Sequence, residues 1–330
     1  MKSNRILIFG AGVIGSIYAG KLALSGQIVT ILARNRRLNE LNEKGLLLKL
    51  SKQNNFEKVN ISIISELKSD DIYDYVFVIL RKDHLKDVLP ILHQNNSKNF
   101  VFMVNTPSGY LDWINALGQS RVIPAFPGAG GKIEDGVVHY TLTSRIIQPT
   151  TIGEIGGEKT LRIIELSKLL KNAGFPVAIS ENMDSWQKSH VALVSPLAYG
   201  IYYDGGNNYT FAKNKSAVKQ MNLALRETYN FLRNSGLGIV PQKLNMFRLI
   251  PLTILNLIIP FIFNTKWAET VISNHALSGR AEMEMLTVDF IALAERKGYD
   301  LVELKRLNKK NGTQQVGICN WLSAPREFSG

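Results

Sequence analysis

Along the first half of the chain, short apolar runs alternate with stretches whose apolar positions recur every three or four residues. Ile6-Leu7-Ile8-Phe9 predicts a strand, Val13 to Leu24 a helix closing at Gly26, and Ile28 to Ala33 a second strand. Val59 to Ile64 alternates as a peripheral strand would, whereas Tyr75 to Leu80 is continuously apolar, the pattern of a strand covered by helices on both faces. A helix is expected from about His84, a further strand at Phe100 to Val104, and a last pair at Val137 to Leu142 and Ile146 to Ile152, completing the sheet. Strands alternating with helices in this way predict an α/β fold with a parallel, doubly wound sheet.

After a strand-like Val177 to Ile179 the pattern becomes helical throughout. Asp184 is read as the cap of a helix running through Trp186, Lys188 and Val191 towards Tyr199. Further helices are expected over about 213–234, 241–263 and 266–297, with breaks, the last closed by Gly298. The expected division is therefore a Rossmann-type domain over 1–180 and a helical substrate and dimerisation domain over 181–330. The segment after Asn311 has no clear period and reads as loosely ordered.

Composition narrows the possibilities. A chain of 330 residues with a single cysteine, Cys319, forms no internal disulfide and no cysteine-based zinc site. Its five histidines are scattered, so no metal site is expected, and a reducing cytoplasm is the expected compartment. The formal charge of +12 suits anionic partners. Apart from Arg34-Asn35-Arg36-Arg37 the basic residues are dispersed, so no nucleic-acid grip is read. The apolar run Leu249 to Phe263 is shorter than the ~20 residues of a membrane span and contains Pro251 and Pro260. It is expected to lie buried in the helical domain or in a homodimer interface, with no membrane partner.

Gly10-Ala11-Gly12-Val13-Ile14-Gly15 carries the first chemistry. It follows a strand and opens a helix, where the first glycine makes the tight turn, the second admits a pyrophosphate and the third lets helix and sheet approach. The helix N-terminus adds unpaired N–H groups and partial positive charge. A site for NAD usually carries an acid at the end of the second strand to bind the ribose hydroxyls. Here that end reads Leu32-Ala33-Arg34, and an arginine suits a 2′-phosphate, so NADPH is the expected cofactor.

From these residues onward the chain resembles the ketopantoate reductase (2-dehydropantoate 2-reductase) family. The features that carry the resemblance are the run Ile8 to Ser16, Leu32-Ala33-Arg34, Asp74 to Lys82, Asn105, Gly136 to Tyr140, Thr151-Ile152-Gly153-Glu154 and Trp186-Gln187-Lys188. The resemblance implies that Lys188 donates a proton to the substrate carbonyl, that Arg81 with neighbouring Lys82 holds the cofactor phosphate, and that Asn105 touches the nicotinamide end. It also implies a late glutamate at the site, for which Glu282 is the best match and Glu284 the rival. Where family members carry two substrate-binding asparagines, this chain has Ala192 and Ser195-Pro196.

A cationic acid stabilises the charge that develops on a reduced carbonyl oxygen, which is a physical reason for a lysine there. His190, two residues further along the same helix, points away from Lys188 and reads as structural. The function implied is NADPH-dependent reduction of a 2-oxo acid or related small carbonyl compound, as in pantothenate biosynthesis. Two alternatives stay open: a dehydrogenase of another hydroxy acid or an imine on the same fold, and an NADP(H)-binding sensor or scaffold without turnover.

Overall fold

Ile6, Leu7 and Ile8 are wholly excluded from solvent, and the strand they form lies in the middle of a sheet. The computed structural model describes residues 3–51 and 55–312. Its strands are β1 (Arg5–Phe9), β2 (Ile28–Leu32), β3 (Leu46–Leu50), β4 (Glu57–Val59), β5 (Ser62–Ile64) and β6 (Tyr75–Val78). They continue with β7 (Phe100–Phe102), β8 (Val122–Phe126), β9 (Ala129–Glu134), β10 (Val137–Leu142), β11 (Thr150–Ile152) and β12 (Val177–Ile179). The eight-stranded sheet runs β12-β11-β8-β7-β6-β1-β2-β5, parallel except where β11 meets β8. Apolar clusters pack on both faces, which explains why β1, β6 and β7 are continuously apolar. The order of connection reverses between β1 and β6, and a ligand-binding crevice forms at such a switch point.

The expected α/β class holds, with differences in detail. Val59 to Ile64 is divided between β4 and β5, which belong to different sheets. Val137 to Leu142 does not complete the main sheet: β10 pairs with β3 and β9 in a separate four-stranded sheet, and only Thr150–Ile152 of its expected partner is a strand. The cap of the helix Met183–Tyr203 is Asn182, whose side chain accepts from the Ser185 N–H, rather than Asp184, which sits inside the first turn.

After β12 every element among the described residues is helical, around a second core in which the helix Met183–Tyr203 packs on Lys215–Asn234. The expected 241–263 helix is broken, with Leu252–Phe263 as its long arm. Within the single chain this arm is buried on one face only, so the helical core by itself does not cover it. Leu255, Ile259 and Phe263 face the core, while Leu257 and Phe261 are 67% and 78% exposed. No single described helix is long and apolar enough to cross a membrane. The tail beyond residue 312, with Cys319, lies outside the described residues.

Glu154 joins the edge of the large sheet to the helix Leu161–Asn172. It is 6% exposed and receives Arg162 Nε at 2.7 Å, a second Arg162 nitrogen and the Thr160 hydroxyl. Burial pushes its pKa up, but the bonds from Arg162 and Thr160 outweigh burial and hold it below the ordinary 4.5. Arg162→Ala, by leaving a buried carboxylate unpaired, is expected to cost about 3–5 kcal/mol in urea denaturation. A depressed folded-state pKa stabilises above the unfolded value, and that contribution disappears as pH falls through the folded one. Glu154→Gln should therefore flatten the acid limb of the stability–pH curve below about pH 4.5.

Candidate active site

The turn between β1 and the helix Val13–Leu24 is shaped by three glycines with different constraints. Gly10 has φ +121°, and a Cβ there would lie 2.3 Å from the Ile79 carbonyl oxygen at the end of β6. A Cβ on Gly15 would lie 1.8 Å from the Gly10 carbonyl oxygen, so helix and turn meet without a side chain between them. At Gly12 a Cβ would meet nothing within 4 Å. Gly12 also caps the helix and has no side chain to bond the first N–H groups, which a helix leaves without intrahelical partners. An open, uncapped helix start behind two sterically required glycines fits a dinucleotide pyrophosphate.

Arg34 lies two residues beyond β2, whose last residue, Leu32, accepts from the Gly10 N–H at 3.3 Å. Arg34 is exposed and no salt bridge holds it, so it is available to an anion arriving over the turn. Arg37, in the same basic cluster, has a different role. It reaches back to the Ala11 carbonyl and the Ser16 hydroxyl, each at 3.3 Å, and braces the turn from behind. The residue pattern singled out Arg34 but not the bracing role of Arg37, because helical phase after residue 34 decides which side chain points inward.

The other candidates follow from contact to contact across the cleft. Beyond β6, Lys82 Nζ donates to Ser108 Oγ at 3.1 Å and to Asp289 on the helix Arg280–Arg296, tying the two halves of the molecule. Arg81 is half exposed and pairs with Asp83 at 3.1 Å. Glu282 shares its helix with Asp289, and its carboxyl is raised above the ordinary range by burial, with Arg81 opposing and Asp83 adding to the shift. Glu284, two residues on, is exposed and pairs with Arg280 at 3.1 Å. Of the two glutamates it is Glu282 that faces the Arg81 side of the cleft.

Lys188 stands on the helix that opens the second half. It is 5% exposed and its ammonium pairs with Asp184 one turn earlier. Asp184 Oδ1 lies 3.7 Å from where a Cβ of Gly109 would be, which brings the pair against the loop that follows β7. Next to Lys188, Gln187 Nε2 donates to the carbonyls of Val104 and Ala125, at 3.1 and 3.3 Å. Asn105, the neighbour of Val104, is buried with its Oδ1 lacking any hydrogen-bond partner, an acceptor pointing to a missing donor. His190 stacks on Trp186 at 5.4 Å and packs on Phe126 at 4.3 Å; burial, reinforced by His275, holds its pKa down to about 3, so it stays neutral. Among the described residues, no group of three or more His, Cys, Asp or Glu side chains could hold a metal ion.

Residues 6–157 match the family model described as ketopantoate reductase PanE/ApbA. Over that first half the chain is similar to the ketopantoate reductase family. An uncharacterized oxidoreductase of Bacillus subtilis, YkpB, is 27% identical over 194 residues, covering 56% of this chain and 60% of that protein. The matched segment thus spans under two thirds of this relative. The fold likeness is more extensive. The 2-dehydropantoate 2-reductase of Geobacter metallireducens superposes with TM-score 0.75 at 16% identity, covering 94% of this chain and all of that one. A D-mandelate dehydrogenase, in a ternary structure with NADH and anilino(oxo)acetate, superposes with TM-score 0.70 at 15% identity, covering 94% and 97% of the two chains.

Two of the glycines separate folding from binding. Gly15→Ala forces a methyl into the Gly10 carbonyl and should destabilise by about 1–3 kcal/mol or more, seen as a lowered Tm. Gly12→Ala should cost only about 1 kcal/mol or less of stability, the difference between glycine and alanine as a helix cap. Its methyl should nonetheless occupy the approach of the pyrophosphate and weaken dinucleotide binding about tenfold or more in a fluorescence titration.

Proposed function

We infer that this chain is an NADPH-dependent reductase of a 2-oxo acid or related small carbonyl compound, with Lys188 as the proton donor. The observation that carries this reading is a buried, ion-paired lysine set against the loop beyond β7, with Asn105 and the Gly10–Gly15 turn on the same edge of the sheet. Gly12 and the uncapped helix start would receive the pyrophosphate, Arg34 the 2′-phosphate, and Arg81 with Lys82 would line the phosphate side. When bound, NADPH supplies a hydride to the carbonyl carbon.

The protein's own contribution is charge and a proton. As the carbonyl oxygen gains negative charge, the Lys188 ammonium stabilises it and transfers a proton to it, leaving a hydroxy acid and a neutral amine that solvent reprotonates. Asp184 holds the ammonium in the cleft before substrate arrives. Burial strengthens both interactions, because little water competes for the charge. Glu282, its carboxyl raised by burial, is suited to a hydrogen bond with substrate in either protonation state.

The substrate side departs from the family pattern in a way that bears on specificity. Ala192, one turn after Lys188, is wholly buried and offers no amide to a substrate. Ser195 is also fully buried, and its hydroxyl lacks a partner. This favours a 2-oxo acid other than ketopantoate, bound with fewer polar contacts on that side, and it also keeps open a hydroxy-acid dehydrogenase as the second reading.

NADPH should bind more tightly than NADH, and Arg34→Ala should remove about 1.5–3 kcal/mol of that preference in paired titrations. Equal affinity of the original protein for both cofactors would count against the assignment of Arg34. Lys188→Ala should leave NADPH affinity near its original value while turnover on a panel of 2-oxo acids falls about a hundredfold or more. Undiminished turnover in that variant would move the proton donor elsewhere.

A further inference from the structure

The least explained surface of the molecule is the outer face of Leu252–Phe263. This helix carries no charged residue, and its buried face already satisfies the helical core through Leu255, Ile259 and Phe263. On the other side Ile254, Leu257, Ile258, Phe261 and Ile262 recur at helical spacing and are 39–78% exposed, with Leu249 at 73% just before them. A continuous apolar stripe of this kind marks a contact surface, for protein or for lipid.

Charge separates the two. Between Gly205 and Ala268 the chain holds eight lysines and arginines against one acid, Glu227, so this segment supplies seven of the formal twelve net positive charges. Lys243 and Lys266 are exposed at either end of the bent pair Gln242–Leu249 and Leu252–Phe263, and Trp267, 44% exposed, follows Lys266. Lys243 also donates to the carbonyl of Ile146, which is itself 81% exposed, so the apolar surface extends onto a second loop. Two copies of this chain joined face to face about a twofold axis would bring these unopposed cations together. An anionic bilayer surface offers an apolar layer for the stripe and negative charge for its rim, with an aromatic residue at the boundary.

The two arms meet at 117° and the longer has 12 residues, roughly 18 Å of helix, against about 30 Å of bilayer core. The arm therefore lies in the plane of the interface and does not cross it. We propose that the outer face of Leu252–Phe263, with its basic rim, docks this protein on an anionic lipid surface. The proposal is independent of which substrate the cleft accepts.

The test uses the full chain with vesicles of phosphatidylcholine alone or mixed with phosphatidylserine, read by co-sedimentation. Partitioning onto the phosphatidylserine vesicles should be about tenfold or more stronger and should fall as salt rises, since each cation near such a surface contributes roughly fivefold. Leu257→Glu with Phe261→Glu should abolish binding while Tm and NADPH affinity stay unchanged, because both side chains are outside the core. Lys243→Glu with Lys266→Glu should remove the preference for phosphatidylserine. Failure of the original protein to bind either vesicle would overturn the proposal, as would binding that survives the double glutamate change. A dimer in sedimentation equilibrium that Leu257→Glu with Phe261→Glu dissociates would also overturn it, and would assign the face to a second copy.

Discussion

Gln187 is wholly buried, and one nitrogen of its amide donates to two backbone carbonyls, Val104 beyond β7 and Ala125 in β8. Both carbonyls belong to the carboxyl-end region of the parallel sheet, where a strand's pairing runs out and polar groups need other partners. Were that amide removed, two buried acceptors would lose a donor, at a cost of about 1–3 kcal/mol each. The side chain thus fixes the helix Met183–Tyr203 to the sheet at one place and in one rotation. Lys188 is the next residue, so its position relative to Asn105 and the Gly109 loop follows from that anchor. The site depends on the joint more than on either domain alone.

Inside the same helix a second constraint is met by a neighbour. Pro196 has no N–H to give the Ala192 carbonyl four residues back, which would leave a buried acceptor orphaned. Thr228 Oγ1 donates to it at 2.9 Å from the helix Lys215–Asn234. Tyr229, the next residue, donates to the Ser189 carbonyl at 2.9 Å, so two adjacent residues hold the helix over the turn that follows Lys188, at Ser189 and Ala192. Alanine at 192 is therefore part of a close helix–helix contact, and the loss of a polar side chain there is tied to packing as well as to the substrate pocket.

Much of this was legible from residue pattern. The Gly10–Gly15 turn, the helix that follows it and the change to an all-helical second half were all visible, because local periodicity and glycine chemistry dictate them. The small sheet was not: β10 pairs in parallel with β3, some ninety residues earlier, and alternation within a strand says nothing about its partner. The cap at Asn182 was displaced to Asp184 because both residue types cap helices, and only the geometry separates them. The distinction between Glu282 and Glu284 likewise depends on helical phase relative to Arg81, which lies two hundred residues away in sequence. For the arm Leu252–Phe263 the residue pattern showed that its apolar surface needs cover but not from what: the helical core takes only the face of Leu255, Ile259 and Phe263.

Two of the polar attachments between the halves, Lys82 to Asp289 and Gln187 to the sheet, differ in strength. Lys82 and Asp289 are partly exposed, at 22% and 30% of their side chains, so their ion pair contributes on the order of 1 kcal/mol or less after screening. The Gln187 anchor, with no exposure to water, is the stronger of the two. The weaker of these two ties lies at the Lys82 end, where Arg81 and Glu282 also lie, and the stronger lies beside Lys188. The proposed proton donor is thus held at the firmer joint, and the proposed phosphate side lies at the weaker one.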